Sequence, residues 1–266
     1  MSPNPMVGAV IVKENRIIGE GYHEKFGDNH AEINAILNAS DEIEGSTIYV
    51  TLEPCAHHGK TPPCVERLIS LKPARVVIGT PDPNPLVSGK GIKLLNEYGI
   101  DTTVGVLEDA CKELNERFFK FIRTKIPYVT LKFAQTLDGR IATAQGHSQW
   151  ISSLLDMGID VMLIAEDSRH RIDMKILLEE LGKKEISSIL VEGGAAVITT
   201  VLREQLADRA VVIIAPKIVG KGIEAVGDLG IEKIDDALEF SFRRLIRRGG
   251  DLVINGRIEK KGSPQF

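Results

Sequence analysis

Residues 30 to 37 read HAEINAIL, and residues 51 to 64 read TLEPCAHHGKTPPC. In the first stretch Ile33, Ile36 and Leu37 recur at helical spacing behind His30, which predicts an amphipathic helix whose buried stripe fixes the direction of its N-terminus. His30 and Glu32 stand two apart, a spacing that points side chains to different sides of a helix. They can share a task only at the N-terminal end, where both reach into the space beyond the first turn. The second stretch leaves a strand, STIYVTL (46 to 52), and enters a helix, TPPCVERLISL (61 to 71), with Pro62 and Pro63 near its first turn. Cys55 therefore follows a strand and Cys64 opens a helix.

Outward from these stretches, residues 7 to 12 and 16 to 22 are two β-rich runs joined by the polar turn Lys13-Glu14-Asn15 and read as a hairpin. ARVVIG (74 to 79) is a buried strand, GIKLLNEYGI (91 to 100) a helix closing at Gly99, and DTTVGVL (101 to 107) a further strand. The alternation implies one mixed sheet with helices on its faces. A helical stretch from Glu108 to Phe121 follows, and IRTKIPYV turns into a strand around Pro127, which puts a domain boundary near residues 122 to 127. The expected domains are 1–124 and 125–266. The second shows a strand from PYVTLKF, VMLIAEDS, a helix DMKILLEELG, a strand SSILVEGG, a helix from Ala195 to Gln205, a strand RAVVIIAP and a hairpin around Gly249-Gly250. It reads as a second α/β unit.

With 266 residues, 43% apolar and 26% charged, the composition is that of a folded globular chain. Neither a run of eighteen apolar residues nor a basic-then-apolar N-terminus is present, so neither membrane span nor signal peptide is indicated and a cytoplasmic protein is expected. A net charge of −4 argues against a surface that tracks nucleic-acid phosphates. Three cysteines, Cys55, Cys64 and Cys111, without a secretion signal argue against a disulfide framework.

His30, Cys55 and Cys64 are three borderline or soft ligands at three element ends. Zinc accepts imidazole and thiolate, and a catalytic zinc has three protein ligands with a fourth position for water. Two helix N-termini facing the site are expected to lower the Cys64 thiol pKa. Glu32 is placed to take a proton from water and deliver it to a leaving amine, a role contributing roughly 10²- to 10⁴-fold. H-x-E followed by Pro-Cys and a second Cys is the zinc nucleobase-deaminase signature, although eight residues separate the cysteines here rather than two. Singly, each residue has an ordinary reading: a helix cap for His30, a first-turn charge for Glu32, small buried groups for the cysteines. A closed structural zinc would need a fourth ligand, which His57 or His58 could supply; a non-catalytic zinc-stabilised binding module is the alternative from another class.

PNPMVGAV, HAEINA, TLEPCAHHGKTPPC and DPNP (82 to 85) resemble the deaminase half of the bifunctional riboflavin-biosynthesis deaminase/reductases, and LKFAQTLDGRIATAQGHSQWIS with LVEGGAAV resembles the reductase half. The resemblance implies a cytidine-deaminase-like three-layer α/β/α domain followed by a dihydrofolate-reductase-like α/β domain. It implies zinc-dependent deamination of 2,5-diamino-6-(5-phosphoribosylamino)pyrimidin-4(3H)-one, then NADPH-dependent reduction of 5-amino-6-(5-phosphoribosylamino)uracil. Zinc would be held by His30, Cys55 and Cys64, with Glu32 as proton shuttle. Asn4, His23, Lys60, Asp82 and Asn84 would surround the pyrimidine nucleotide. Lys132, Asp138, Ser148 and Glu192 would contact the reductase substrate. Ala134, Trp150 and the turn Gly194, Ala195, Ala196, Val197, Ile198, Thr199 and Thr200 would meet NADPH. A small-molecule substrate, no nucleic acid, no membrane and a homo-oligomer are the implied partnerships.

Two departures from the family carry expectations. The family has a helix before SPNP, for which this chain has no residues, so one sheet face is expected to lack cover. After QWISS the family continues into a helix and a GTVLADDP-like cofactor loop, whereas this chain runs from Ser153 to LLDMGIDVMLI. An internal deletion after about residue 153 is expected to leave reductase activity weak or absent. Two alternatives stay open: a deaminase whose C-terminal half is a structural or dimerisation remnant, and a deaminase of another pyrimidine.

Overall fold

The computed structural model describes residues 4–25, 27–57, 62–85, 87–146 and 172–259. Lys60, Ser148, Trp150, His58, VMLIAEDS and the junction after Ser153 lie outside the described residues. The chain divides into two compact units, residues 1–125 and 126–265.

In the first unit, β1 (Gly8–Lys13) and β2 (Arg16–Tyr22) form an antiparallel hairpin whose turn places Glu14 and Asn15 at positive φ. The chain continues through α1 (Ala31–Leu37), β3 (Thr47–Leu52), α2 (Cys64–Leu71), β4 (Arg75–Thr80), α3 (Lys90–Glu97) and β5 (Asp101–Val104). The sheet order is β2-β1-β3-β4-β5, with β1 antiparallel to both neighbours and β3, β4 and β5 parallel. Alternation sends Ala9, Ile11, Ile48, Val50, Val76 and Ile78 to one face, where they pack with Ala31 and Ala35 of α1, Val65 and Leu68 of α2 and Leu95 of α3. On the opposite face the row Val10, Tyr49 and Val77 lines a groove of about 690 Å³, beside Cys111.

Two elements differ from the sequence reading. The strand expected to reach Leu107 stops at Val104, because Gly105 and Leu107 take positive φ and turn the chain. The helix expected from Glu108 to Phe121 is two helices, α4 (Glu108–Leu114) and α5 (Glu116–Thr124), meeting at Asn115. Asn115 is buried and its amide grips the N-terminal segment from both sides, accepting from the Met6 N–H at 2.7 Å and donating to the Met6 carbonyl at 2.8 Å. Side-chain amides that bond backbone in this way compete with continued helix.

The second unit runs β6 (Tyr128–Thr136), β7 (Arg140–Thr143), α6 (Met174–Lys183), β8 (Ser188–Glu192), α7 (Ala195–Arg203), β9 (Arg209–Ala215), β10 (Gly222–Glu224), β11 (Glu239–Arg248) and β12 (Asp251–Glu259). Its sheet order is β11-β12-β9-β6-β8, with β6 parallel to β8 and β9, while β7 and β10 form a separate antiparallel ribbon. Val129, Leu131, Val191, Ile198, Val201 and Ala210 are the core under α6 and α7. The Gly249 turn joins β11 to β12 as a hairpin. Both units are thus mixed α/β layers, as the sequence pattern implies.

What positions α1 is the absence of two side chains on β2. A Cβ added at Gly21 would lie 2.2 Å from the Ala35 nitrogen and 2.5 Å from the Ala31 oxygen, and one at Gly19 would lie 2.4 Å from the Ala35 oxygen. Helix backbone therefore rests directly on strand backbone, and no rotamer change relieves an intrusion. Gly21→Ala is expected to cost about 1–3 kcal/mol of stability, whereas Gly8→Ala, whose Cβ meets nothing within 4 Å, is expected to cost none. Denaturant titration of the two variants checks the contrast.

Candidate metal centre and its cavity

α1 begins at His30, its N-cap, with Glu32 in the first turn and no side-chain cap. α2 begins at Cys64 after Pro63. Cys55 lies three residues past the end of β3, held to the start of α2 because the Val65 N–H donates to the Cys55 carbonyl at 3.2 Å. These three ends converge: His30 Nδ1 lies 3.2 Å from Cys64 Sγ and 3.5 Å from Cys55 Sγ, and all three donor atoms fall within 4.8 Å of one another. Tetrahedral zinc with sulfur at ~2.3 Å and nitrogen at ~2.0 Å needs N···S edges of about 3.5 Å. The donor set and its spacing fit zinc.

The electrostatics are those of groups sharing too few protons. The Cys55 thiol is pulled down to about 4, first by a hydrogen bond from the Cys64 thiol and further by His30 and the Cys64 backbone N–H, which donates to Cys55 Sγ at 3.3 Å. Cys64 moves up rather than down as expected, because it donates the hydrogen bond that Cys55 accepts and because it is buried. Its position at a helix start is outweighed by its neighbour. His30 is raised, chiefly by its hydrogen bond with Cys55. Glu32 is 4% exposed, and burial pushes its carboxyl up to about 7 despite a hydrogen bond with Cys64. A carboxyl near neutrality can both take and give a proton at physiological pH.

A cavity of about 250 Å³ is lined by Asn4, His23, Asp82 and Asn84 together with His30, Glu32 and Cys55. His23 is buried rather than at the surface: its Nδ1 pairs with the Asn29 carbonyl at 3.1 Å, and its Nε2 lies 3.0 Å from Asn4 Nδ2. That pattern assigns the Nδ1–H tautomer, with Nε2 accepting from Asn4. Asp82 accepts from the Asn84 N–H at 2.8 Å, and burial raises its carboxyl. Glu53, His57, Phe118 and Ile122 also line the cavity; His57 entered the sequence reading only as a possible fourth zinc ligand, and Glu53, Phe118 and Ile122 were missed as site residues. Glu53 carried a signal, a carboxylate two residues before a ligand cysteine. The aromatic and aliphatic wall from α5 is distant in sequence and carried none.

In the second unit Lys132 and Glu192 sit opposite one another on β6 and β8 and pair at 2.6 Å. Ala134 lies two residues further along β6. Asp138 accepts from the Thr136 hydroxyl at 2.6 Å and the Gly220 N–H at 2.7 Å, which draw its carboxyl down to about 2 and tie the turn after β6 to the segment before β10. Gly194 is the N-cap of α7, and a Cβ added there meets nothing within 4 Å. Ala195, Ala196 and Val197 form the first turn. Ile198 is fully buried in the core, and Thr199 is buried with its hydroxyl donating to the Ala195 carbonyl and accepting from the Gly227 N–H. Thr200 lies one residue further, half-buried. Among the described residues no helix is long and apolar enough to cross a membrane.

Comparison with known proteins places this geometry. Residues 1–80 match the family "Cytidine and deoxycytidylate deaminase zinc-binding region". Residues 127–167 and 154–254 match the "RibD C-terminal domain" as two overlapping stretches. The chain is 38% identical to the riboflavin biosynthesis protein RibD of Aquifex aeolicus over 327 aligned residues, covering 95% of this chain and 92% of that protein. It is 33% identical to RibD of Escherichia coli, covering 95% and 93%. Among solved structures, Acinetobacter baumannii RibD superposes with a TM-score of 0.82 at 32% identity, covering 97% of this chain and 94% of that one. A Thermotoga maritima diaminohydroxyphosphoribosylaminopyrimidine deaminase/5-amino-6-(5-phosphoribosylamino)uracil reductase superposes at 0.80 with 32% identity, covering 96% and 93%.

The purified protein is expected to carry about one zinc per chain. Cys64→Ala is expected to lose it; elemental analysis that finds full zinc in that variant would remove Cys64 from the ligand set.

Proposed function

Given that the chain belongs to the RibD family of riboflavin biosynthesis proteins, we propose that its first unit hydrolytically removes the ring amino group of a diaminohydroxyphosphoribosylaminopyrimidine through Glu32. It is an enzyme of riboflavin biosynthesis with a zinc-dependent deaminase domain and a RibD-type reductase domain. The observation that carries the assignment is the burial of Glu32 in the cavity lined by His30 and Cys55, whose donor atoms cluster with that of Cys64. A closed structural site has no use for a buried carboxylate beside it.

His30, Cys55 and Cys64 would hold the metal, and zinc bound there supplies Lewis acidity, bringing the pKa of water from ~16 to about 7. Glu32 takes a proton from the attacking water as the new C–O bond forms at the ring carbon. It then delivers that proton to the amino group, which leaves as ammonia, while the second proton of the water ends on the adjacent ring nitrogen and the ring carbon becomes a carbonyl. His23 and Asn4, already bonded to one another, present a fixed polar wall to the ring. Asp82 and Asn84 line the same cavity. Lys60, by its charge, suits the phosphate.

NADPH is the reductant of the reductase domain. The start of α7 supports a seat for its phosphate, since Gly194 has no side chain to cap the first N–H groups and the space beside it is open. The Lys132–Glu192 pair and Ala134 would face the ribosyl substrate and the nicotinamide. Ser148 and Trp150 complete the proposed set, and a homo-oligomer is the proposed assembly. Reduction is proposed to be weak in this chain. The reductase family matches in two overlapping pieces around residues 154–167, and the Aquifex aeolicus alignment is longer than the 266-residue chain. The alignment length supports a deletion in the chain, and the overlapping pieces support its position there. A nicotinamide displaced by about 1 Å can lose ~10²-fold in rate.

Glu32→Gln is expected to keep its zinc and lose deamination by about 10²-fold or more; ammonia release at the wild-type rate would overturn the proton-shuttle role. With deaminated substrate supplied, NADPH consumption far below that of a full-length relative is expected, and equal turnover would refute the reading of the deletion.

A further inference from the structure

We infer that Glu53 is a positioning residue for the deaminase, holding the segment that carries Asp82 and Asn84 against the cavity. The inference rests on the deaminase reading above. Glu53 is buried, 4% exposed, and among the described residues its carboxylate accepts from backbone N–H groups of one distant segment. Its Oε2 accepts from the Asp82 N–H at 3.1 Å and the Gly89 N–H at 2.9 Å. Its Oε1 accepts from the Gly91 N–H at 2.9 Å and the Ile92 N–H at 3.4 Å.

The pattern has a local cause. α3 begins after Gly89, an N-cap in the left-handed region with no side chain to satisfy the first N–H groups of the helix. Those groups need an acceptor, and the helix dipole favours a negative one. Glu53 supplies it from outside the helix, occupying the second and third helical N–H groups with one oxygen. The other oxygen ties Gly89 to Asp82, so the two ends of residues 82–89 are fastened to a single carboxylate. Within that segment the Asp82 carboxylate accepts the Asn84 N–H, and the Val87 and Ser88 N–H groups return to the Asn84 carbonyl. Glu53 itself is held because its N–H donates to Thr80 at 2.9 Å, continuing the β3–β4 pairing past the strand end. Two residues of the stretch 53–55 thus serve both halves of the site: Glu53 holds the Asp82 segment, and Cys55 offers a metal donor. Gly91 lets Pro54 sit against the start of α3, for a Cβ there would lie 2.2 Å from the Pro54 oxygen.

Glu53→Gln keeps the volume but turns an NH₂ toward N–H donors, so one end of the segment must release. In the full-length, zinc-loaded protein this variant is expected to keep its zinc, change kcat by less than about threefold and raise KM by about tenfold or more. Amide hydrogen exchange should accelerate in residues 82–92 and not across the rest of the first unit. Gly91→Ala, which pushes α3 away from Pro54, should give the same split, and Glu53→Asp, with both acceptor oxygens, should fall between wild type and Glu53→Gln. Wild-type KM and exchange in Glu53→Gln would overturn the inference, as would a loss of zinc, kcat and exchange protection together throughout the unit. If Glu53→Gln does not fold, Gly91→Ala and Glu53→Asp decide by the same two readouts. If wild-type protein releases no ammonia from the phosphoribosylaminopyrimidine, the deaminase reading fails, and exchange over residues 82–92 decides the role of Glu53 separately.

Discussion

The contact of α1 backbone with the bare backbone of β2 at Gly19 and Gly21 determines where His30 and Glu32 reach. A helix lying that close to a strand has little freedom to slide or rotate, and its first turn is aimed at one spot. The end of β3 and the start of α2 arrive at the same spot, because β3 neighbours β1 and because the Val65 N–H bonds the Cys55 carbonyl. The metal donors are therefore placed by main-chain packing. A binding site built on element ends of a rigid sheet needs no further loop to hold it, which leaves the loops available to shape the cavity.

The same packing sets the electrostatics. Burying Glu32 beside two thiols and an imidazole removes the water that would stabilise their charges, so their protons are redistributed among them. Hydrogen bonds from Cys64 and His30 stabilise the Cys55 thiolate, Cys64 holds its proton, and burial raises the Glu32 carboxyl to about 7. A cation with two positive charges suits such a cluster, since thiolates are its ligands and its charge favours the ionised Glu32 that takes the first proton from water.

How much of this was legible depended on the range of the interactions involved. The hairpin, the helix behind His30 and the parallel strands were readable because their signals are local: alternation, helical spacing and turn residues. His30, Glu32, Cys55 and Cys64 were readable because their order and chemistry constrain one another. The break at Asn115 was not, since its cause is a bond to Met6 more than a hundred residues earlier. Nor was the role of Glu53: its place two residues before Cys55 marked it as near the site, but its partners are backbone groups about thirty to forty residues downstream. The lowered Cys64 pKa expected from its helix start is not found, because Cys64 donates the hydrogen bond that Cys55 accepts and is itself buried.

The second unit shows the opposite balance. Its sheet and hairpin followed from sequence, yet the residues that would complete a reductase site are divided between a described framework, with Lys132, Asp138, Glu192 and the start of α7, and residues 147–171 outside it.

The account stands most directly on the first coordination shell of the metal. X-ray absorption at the zinc edge of the purified, full-length protein is predicted to show two sulfurs at ~2.3 Å, one imidazole nitrogen at ~2.0 Å and one further oxygen from solvent. A shell closed by a second imidazole, or one holding fewer than two sulfurs, would contradict it.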